Sequence, residues 1–371
     1  MRLFRSFHPT VLLVLISMGF SAPMAFAQAG ADLGPKDEFL ENLRTGDPTT
    51  ADNKSFDERI ATEITRLLAA ADGADLVARQ AARDFVSRFM NQFKNENNSV
   101  AFKEKLAERV GLKIVEQFNR GAELPPIAAR AMAEVLSQLG SVSGRDALLE
   151  GLKSSDQVVR YLCAKGLALI IDGVSADARL TEVTLNAIAE AAAKETNAVV
   201  AAAMYEAMQY GNDHTAKVLV AVLKVLDGRL ELMRASLQSV DAAETPLVQY
   251  LLQLNGLGND DKVAIVGRLA VLLRLSVEAY EDANSQGNEA EPRIDALDQL
   301  IALIEDFIET TVKPSGKSPD IRSEMAKLSK KDQNEAAVIA AMKIELLLWI
   351  GTPQTPGELN KAPWNVPAGA P

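Results

Sequence analysis

Between Ser55 and Ile350 the apolar residues return every third or fourth position, and nowhere do they alternate in twos over a length that would build a strand. Such a chain can bury its apolar stripes only helix against helix, so the fold class is all-α. Helical patterns run over 76–93, 102–118, 127–139, 147–152, 181–194, 199–210, 216–226, 246–254, 262–280 and 294–312. Ser55 and Glu58 have the spacing of a capping box and are expected to open the first ordered helix. Thr245, Glu291 and Ser318 each precede a proline, which suits a first helical turn because its missing amide would have no partner there.

The helical stretches also resemble one another. In VVRYLCAKGLALI, Leu167 follows Arg160 by seven residues, as Leu136 follows Ala129 and Met208 follows Ala201. Ala129, Arg160 and Ala201 therefore occupy one position of a repeat frame, 31 and 41 residues apart, with a more distant copy at Arg79 where Val86 takes the leucine place. Comparable but unequal spacing marks helical hairpins joined by turns of different length, and each hairpin leaves an apolar face that a neighbour must cover. In the central copy Asp156, Val159, Arg160, Cys163, Ala164 and Leu167, preceded by Ser154 and Ser155, resemble the D-x-x-V-R-x-x-A-A-x-x-L run of the HEAT-repeat family. That resemblance is strongest over 143–171 and extends to 124–140 and 181–211. It implies an α-solenoid of HEAT-like hairpins over 55–260 that binds another macromolecule along a concave face and carries no shared catalytic chemistry. The flanking copies lack the aspartate and the arginine, so the family's ladder of these residues is expected in the central copy alone. Residues 261–352 are read as a C-terminal helical region that continues or caps the array.

The ends have a different character. Arg2 and Arg5, the apolar run Val11 to Phe20 and the Ala25-Phe26-Ala27 site form the layout of a signal peptide over 1–27, with the mature chain starting at Gln28. The apolar run is shorter than the roughly 20 residues a membrane-spanning helix needs, so no stable membrane insertion is expected after cleavage. The reading is an exported protein, periplasmic or extracellular. Residues 28–54, rich in Gly, Asp, Thr and Pro, are expected to be a flexible leader, with one short helical candidate from Asp37 to Arg44. The tail 353–371 carries five prolines and is expected to be extended. Trp364 there either packs back near Trp349 or serves a partner.

Removal of Arg2 and Arg5 takes the formal net charge from −11 to −13, which argues against a nucleic-acid partner. Cys163 is the one cysteine, so no intramolecular disulfide can form, and His214 is the one histidine beyond the signal segment. No cluster of His and Cys can hold zinc, and neither metal nor cofactor is expected. His214 reads as a surface loop histidine and Cys163 as a buried structural thiol. Asp282 to Gly287 mimics the start of a calcium loop, but Arg293 stands where the loop needs a bidentate carboxylate. Gly256 to Lys262 lacks a preceding strand and reads as a helix stop followed by an acidic cap, not as a phosphate cradle. Asn53 and Asn97 head glycosylation-type triplets, which matter only in a eukaryotic secretory host.

If Val159, Cys163 and Leu167 face the core, Tyr161 and Lys165 lie on another side of the helix and should line the groove. Their frame equivalents are Arg130 and Glu134 in one direction, Ala202 and Glu206 in the other. A stripe of mixed charge around one tyrosine suits a protein or peptide partner better than a polyanion. The chain is thus read as a non-enzymatic scaffold or binding module. A hydrolase or lyase with a carboxylate-only site in the groove, and a structural subunit of an envelope complex, are the alternatives.

Overall fold

The computed structural model describes residues 43–286, 291–314, 318–328 and 335–367. The chain divides between Asn42 and Leu43, and every element below belongs to the second unit. The expected signal peptide, and the leader up to residue 42, lie outside the described residues.

The described residues are all-α and contain no strand. Fifteen α-helices lie among them: α1 (Asn53–Ala71), α2 (Asp75–Lys94), α3 (Val100–Phe118), α4 (Pro126–Gln138), α5 (Arg145–Gly151), α6 (Gln157–Leu169), α7 (Ile171–Ser175), α8 (Ala178–Ala192), α9 (Ala198–Glu206), α10 (Thr215–Ala235), α11 (Thr245–Gln253), α12 (Asn259–Ser285), α13 (Glu291–Val312), α14 (Ile321–Leu328) and α15 (Glu335–Ile350). Side-chain caps open several of them. The Asp156 carboxylate accepts from the Val158 amide at 2.8 Å, Asp177 from Arg179 and Leu180, Asn197 from Val199 and Val200, and Ser99 from Phe102.

Two starts and one end differ from expectation. Helix α1 begins two residues before Ser55, because a short 3-10 turn stapled by Thr49 and Asp52 runs directly into it. Helix α14 begins at Ile321, where Asp320 accepts from the Ser323 amide and takes over the capping expected of Ser318. Helix α10 continues to Ala235, past the expected end at 226.

The helices pack in two rows. Along one row α2 packs on α4, α4 on α6, α6 on α9, α9 on α11 and α11 on α13. Along the other α1 packs on α3, α3 on α5, α5 on α8, α8 on α10, α10 on α12 and α12 on α15. Hairpin contacts such as α1 with α2, α5 with α6, α8 with α9 and α12 with α13 join the rows, and the core lies between them. Val159 and Cys163 are 0 % exposed and Leu167 1 %, so the apolar side of α6 points into this layer. The α10–α12 contact crosses residue 260, and the rows continue there without a break.

Close approach within a row is bought by small residues. A Cβ on Gly166 would stand 2.9 Å from the Ser137 Cα and 2.6 Å from a Leu148 methyl, so α6 reaches α4 only with glycine there.

The C-terminal residues fold back. Trp349 is buried, and its Nε1 donates to Glu305 at 3.2 Å. Glu305 also accepts from the Ile321 and Arg322 amides, pinning the first turn of α14. Beyond α15 the expected extended tail contains a 3-10 turn at Glu358–Asn360. Leu359 and Val366 are buried, and Asn360 Nδ2 donates to the Ile350 and Val366 carbonyls, so this segment returns onto the end of α15 with Trp364 half-buried in it.

Candidate binding face

The four helices that carry the repeat frame, α2, α4, α6 and α9, are consecutive members of one row. Frame-equivalent side chains on their outward sides therefore stand helix beside helix. On α4 these are Arg130, Glu134 and Gln138, all exposed; on α6, Tyr161 and Lys165, half-buried, and Leu169, exposed; on α9, Ala202, half-buried, and Glu206, exposed. The corresponding residues of α2 are Gln80, Asp84 and Arg88, all exposed. Lys165 Nζ donates to Glu206 Oε2 at 2.7 Å, joining equivalent positions of α6 and α9. Arg130 does not extend along the stripe. Its Nε donates to Asp156 Oδ2 at 2.7 Å, across to the cap of α6.

A second line on this face went unmarked in the sequence. Two positions before each frame residue stand Val77, Ile127, Val158 and Val199, in the first turns of the four helices. Val77, Val158 and Val199 are exposed and Ile127 is half-buried. The signal was present as a β-branched apolar residue at one frame position in all four copies, where a solvated first turn has no need of one.

Below the face runs a ladder of acids and arginines at the turns between the rows. Asp156 receives Arg130. Glu195 receives the fork of Arg160, with Nε to Oε2 at 2.7 Å and Nη2 to Oε1 at 2.9 Å, while Arg160 Nη1 also donates to the Ser154 and Ser155 carbonyls. Glu244 receives Arg229 Nε at 2.6 Å, and Arg229 Nη1 also donates to the Glu195 carbonyl. Burial alone would raise the Glu195 carboxyl, but the Arg160 fork and the Asn197 amide outweigh it and hold the group below its ordinary range. At Glu244 burial wins. That side chain is 0 % exposed, its Oε2 has no hydrogen-bond partner, and its carboxyl is pushed up to about 7 despite Arg229. Arg130 and Arg229, which serve Asp156 and Glu244, do not stand at the frame position of Arg160, where the flanking copies have Ala129 and Ala201.

The remaining sequence candidates are occupied by structure. His214 is a half-buried residue at the head of α10, its Nε2 3.1 Å from the Ser175 carbonyl and its ring edge-on to Tyr210. Cys163 is fully buried, and burial pushes its thiol up, away from the reactive thiolate. Asp282 lies within α12 and accepts from Gln238, Gln286 and Arg293, the last being the residue at the twelfth place of the calcium-like pattern. Gly256 takes a positive φ of 76°, and Asp261 accepts from the Gly258 amide at 2.9 Å, as a helix stop followed by an acidic cap requires. Asn97 is exposed in the α2–α3 turn and Asn53 half-buried at the start of α1.

No group of three or more metal-ligating side chains occurs among the described residues, and none of the described helices is long and apolar enough to cross a membrane. A cleft of about 460 Å³ between the end of α12 and the start of α15 is lined by Glu281, Asn284, Glu335 and Lys343, with Lys343 paired to Glu281 at 2.5 Å. Glu244 and Glu305, acids raised by burial, are both fully buried, and neither lines that cleft. No family model matches the chain, and neither does any curated protein or solved structure.

Proposed function

We propose that the chain is an exported α-solenoid of HEAT-like hairpins that works as a non-enzymatic binding module, holding a protein or peptide segment across the outward face of the α2–α4–α6–α9 row. The observation that carries this reading is the side-by-side packing of the four frame helices, which turns one frame position into a continuous surface line. A stack of hairpins makes extended binding surfaces of this kind because each unit contacts mainly its neighbours. The face offers an apolar line at Val77, Ile127, Val158 and Val199 beside polar residues of both signs. Apolar contacts would supply affinity and the charges would set register and exclude wrong partners. The Lys165–Glu206 pair lies at the surface, its side chains 39 % and 51 % exposed, and stabilises little, so a partner can exchange it for its own charges at small cost.

Site-specific photo-crosslinking tests the reading. A photoreactive residue at Tyr161 is expected to trap a protein partner in the compartment to which the chain is delivered, whereas one at Val183 or Val220, exposed on α8 and α10 of the other row, is not. Equal trapping from both rows, or trapping from Val183 and Val220 alone, would remove the binding face from the row named here.

A further inference from the structure

Four pairs in the chain set an acid or its amide directly before glycine: Asp72–Gly73, Asp172–Gly173, Asp227–Gly228 and Asn255–Gly256. In such a pair the glycine nitrogen lies one peptide unit from the side-chain carbonyl carbon and can attack it without a second molecule. Glycine favours the attack because it has no Cβ to obstruct the backbone rotation that brings the two atoms together. The fold decides which pairs are free to make that rotation.

Three of the pairs are held. The Gly73 amide is already donated to the Ala70 carbonyl at 3.0 Å. Gly173 lies in α7, where a Cβ would stand 2.4 Å from a Val142 methyl. A Cβ on Gly228, inside α10, would stand 2.6 Å from the Ala193 Cβ, and the Asp227 carboxylate is taken at 2.7 Å by the Arg268 fork.

Asn255–Gly256 is free. Both residues are exposed in the turn between α11, which ends at Gln253, and α12, which begins at Asn259. Gly256 has a φ of 76°, and nothing lies within 4 Å of where its Cβ would be. Its amide donates to no described residue. The Asn255 side chain makes one long hydrogen bond, from Nδ2 to the Gln253 carbonyl at 3.3 Å. This is also the one pair of the four whose side chain is an amide, with a nitrogen that can leave as ammonia.

We infer that Asn255 is a site of spontaneous deamidation. The Gly256 nitrogen loses its proton to solvent and bonds to Asn255 Cγ; the Cγ–Nδ2 bond breaks, and the departing nitrogen takes up a proton and leaves as ammonia. A cyclic succinimide remains. Solvent water then opens the ring, giving aspartate when the bond from Cγ to the Gly256 nitrogen breaks and isoaspartate when the bond from the main-chain carbonyl carbon breaks. Either product adds a negative charge to the turn that leads to Asp260 and Asp261, and isoaspartate also lengthens its main chain by one methylene. The inference does not rest on the proposed binding face, which lies on other helices.

Peptide mapping by mass spectrometry tests the site. The full chain is incubated at neutral pH in water enriched in heavy oxygen and digested in ordinary water, so that only conversion during incubation carries the label. Asn255 is expected to convert about tenfold faster than Asn97, which is exposed but followed by a residue with a Cβ, and to yield both aspartate and isoaspartate. The chain unfolded in guanidinium chloride should convert Asn255 at nearly the same rate, because the folded turn does not hold Gly256 back. Asn255→Gln, whose longer side chain closes the ring poorly, should remove the label from this turn. Label that persists undiminished in that variant belongs to Asn259 and would overturn the inference. So would conversion of Asn255 no faster than that of Asn97, or conversion about tenfold faster in the unfolded chain than in the folded one.

Discussion

At the scale of single residues, Glu244 is where the physics is most exposed to measurement. Its carboxyl is raised from an ordinary value of 4.5 to about 7, first by burial and against the pull of Arg229. Between those values the folded chain holds a proton that the unfolded chain has released. This contribution to stability is complete below the ordinary value and lost as pH rises through about 7, with a slope of at most about 1.4 kcal/mol per pH unit. Urea midpoints at pH 5 and pH 7.5 should show the wild type losing stability relative to Glu244→Gln over that interval, and parallel profiles would contradict the assignment. Neither Glu244 nor Glu195 was legible as a ladder acid, although Arg160 was. Asp156 directly precedes α6, whereas Glu195 stands three residues before α9, so a frame built on equal positions passes it over. Arg229, which serves Glu244, comes from the other row, where the frame has no position to assign it. The pairing of Glu63 on α1 with Arg88 on α2 escaped notice for a related reason, since a nearly buried acid reads in sequence as part of an ordinary charged face.

At the scale of elements, helix existence and type were readable because a 3.6-residue apolar period marks one face of most helices, although α9 and α15 are apolar nearly all round. The errors were at ends, where a few hydrogen bonds decide. Asp320 displaced Ser318 as a cap, and α9 stopped at Glu206 although the apolar pattern ran on to Tyr210. How tightly helices approach was not readable at all, because glycine inside a helix looks like a defect until its neighbour is known. Gly166 and Gly267 separate the two cases. Ala at Gly267, where nothing lies within 4 Å of the new Cβ, should stabilise by roughly 0.5–1 kcal/mol through helix propensity alone. Ala at Gly166 should destabilise by about 1–3 kcal/mol, because the Ser137 backbone cannot move aside as a flexible side chain could. Thermal or denaturant unfolding of both variants checks the pair, and changes of the same sign would mean that the α4–α6 approach is looser than described.

At the scale of the whole molecule, the acidic composition pointed away from nucleic acid, and the repeat frame anticipated which helices share a row. The chemistry of the outward face was not readable, because its apolar line exists only once separate helices are set side by side. The central claim is that these rows are a repeat array whose units are stabilised by their neighbours and not one indivisible core. Native-state hydrogen exchange on Leu167→Ala tests it most directly, since this change removes a side chain 1 % exposed in the middle of the row and should cost roughly 2–5 kcal/mol locally. The array predicts that amide protection falls in α4, α6 and α9 while α12 to α15 keep theirs. A uniform loss of protection from α1 to α15 would contradict it.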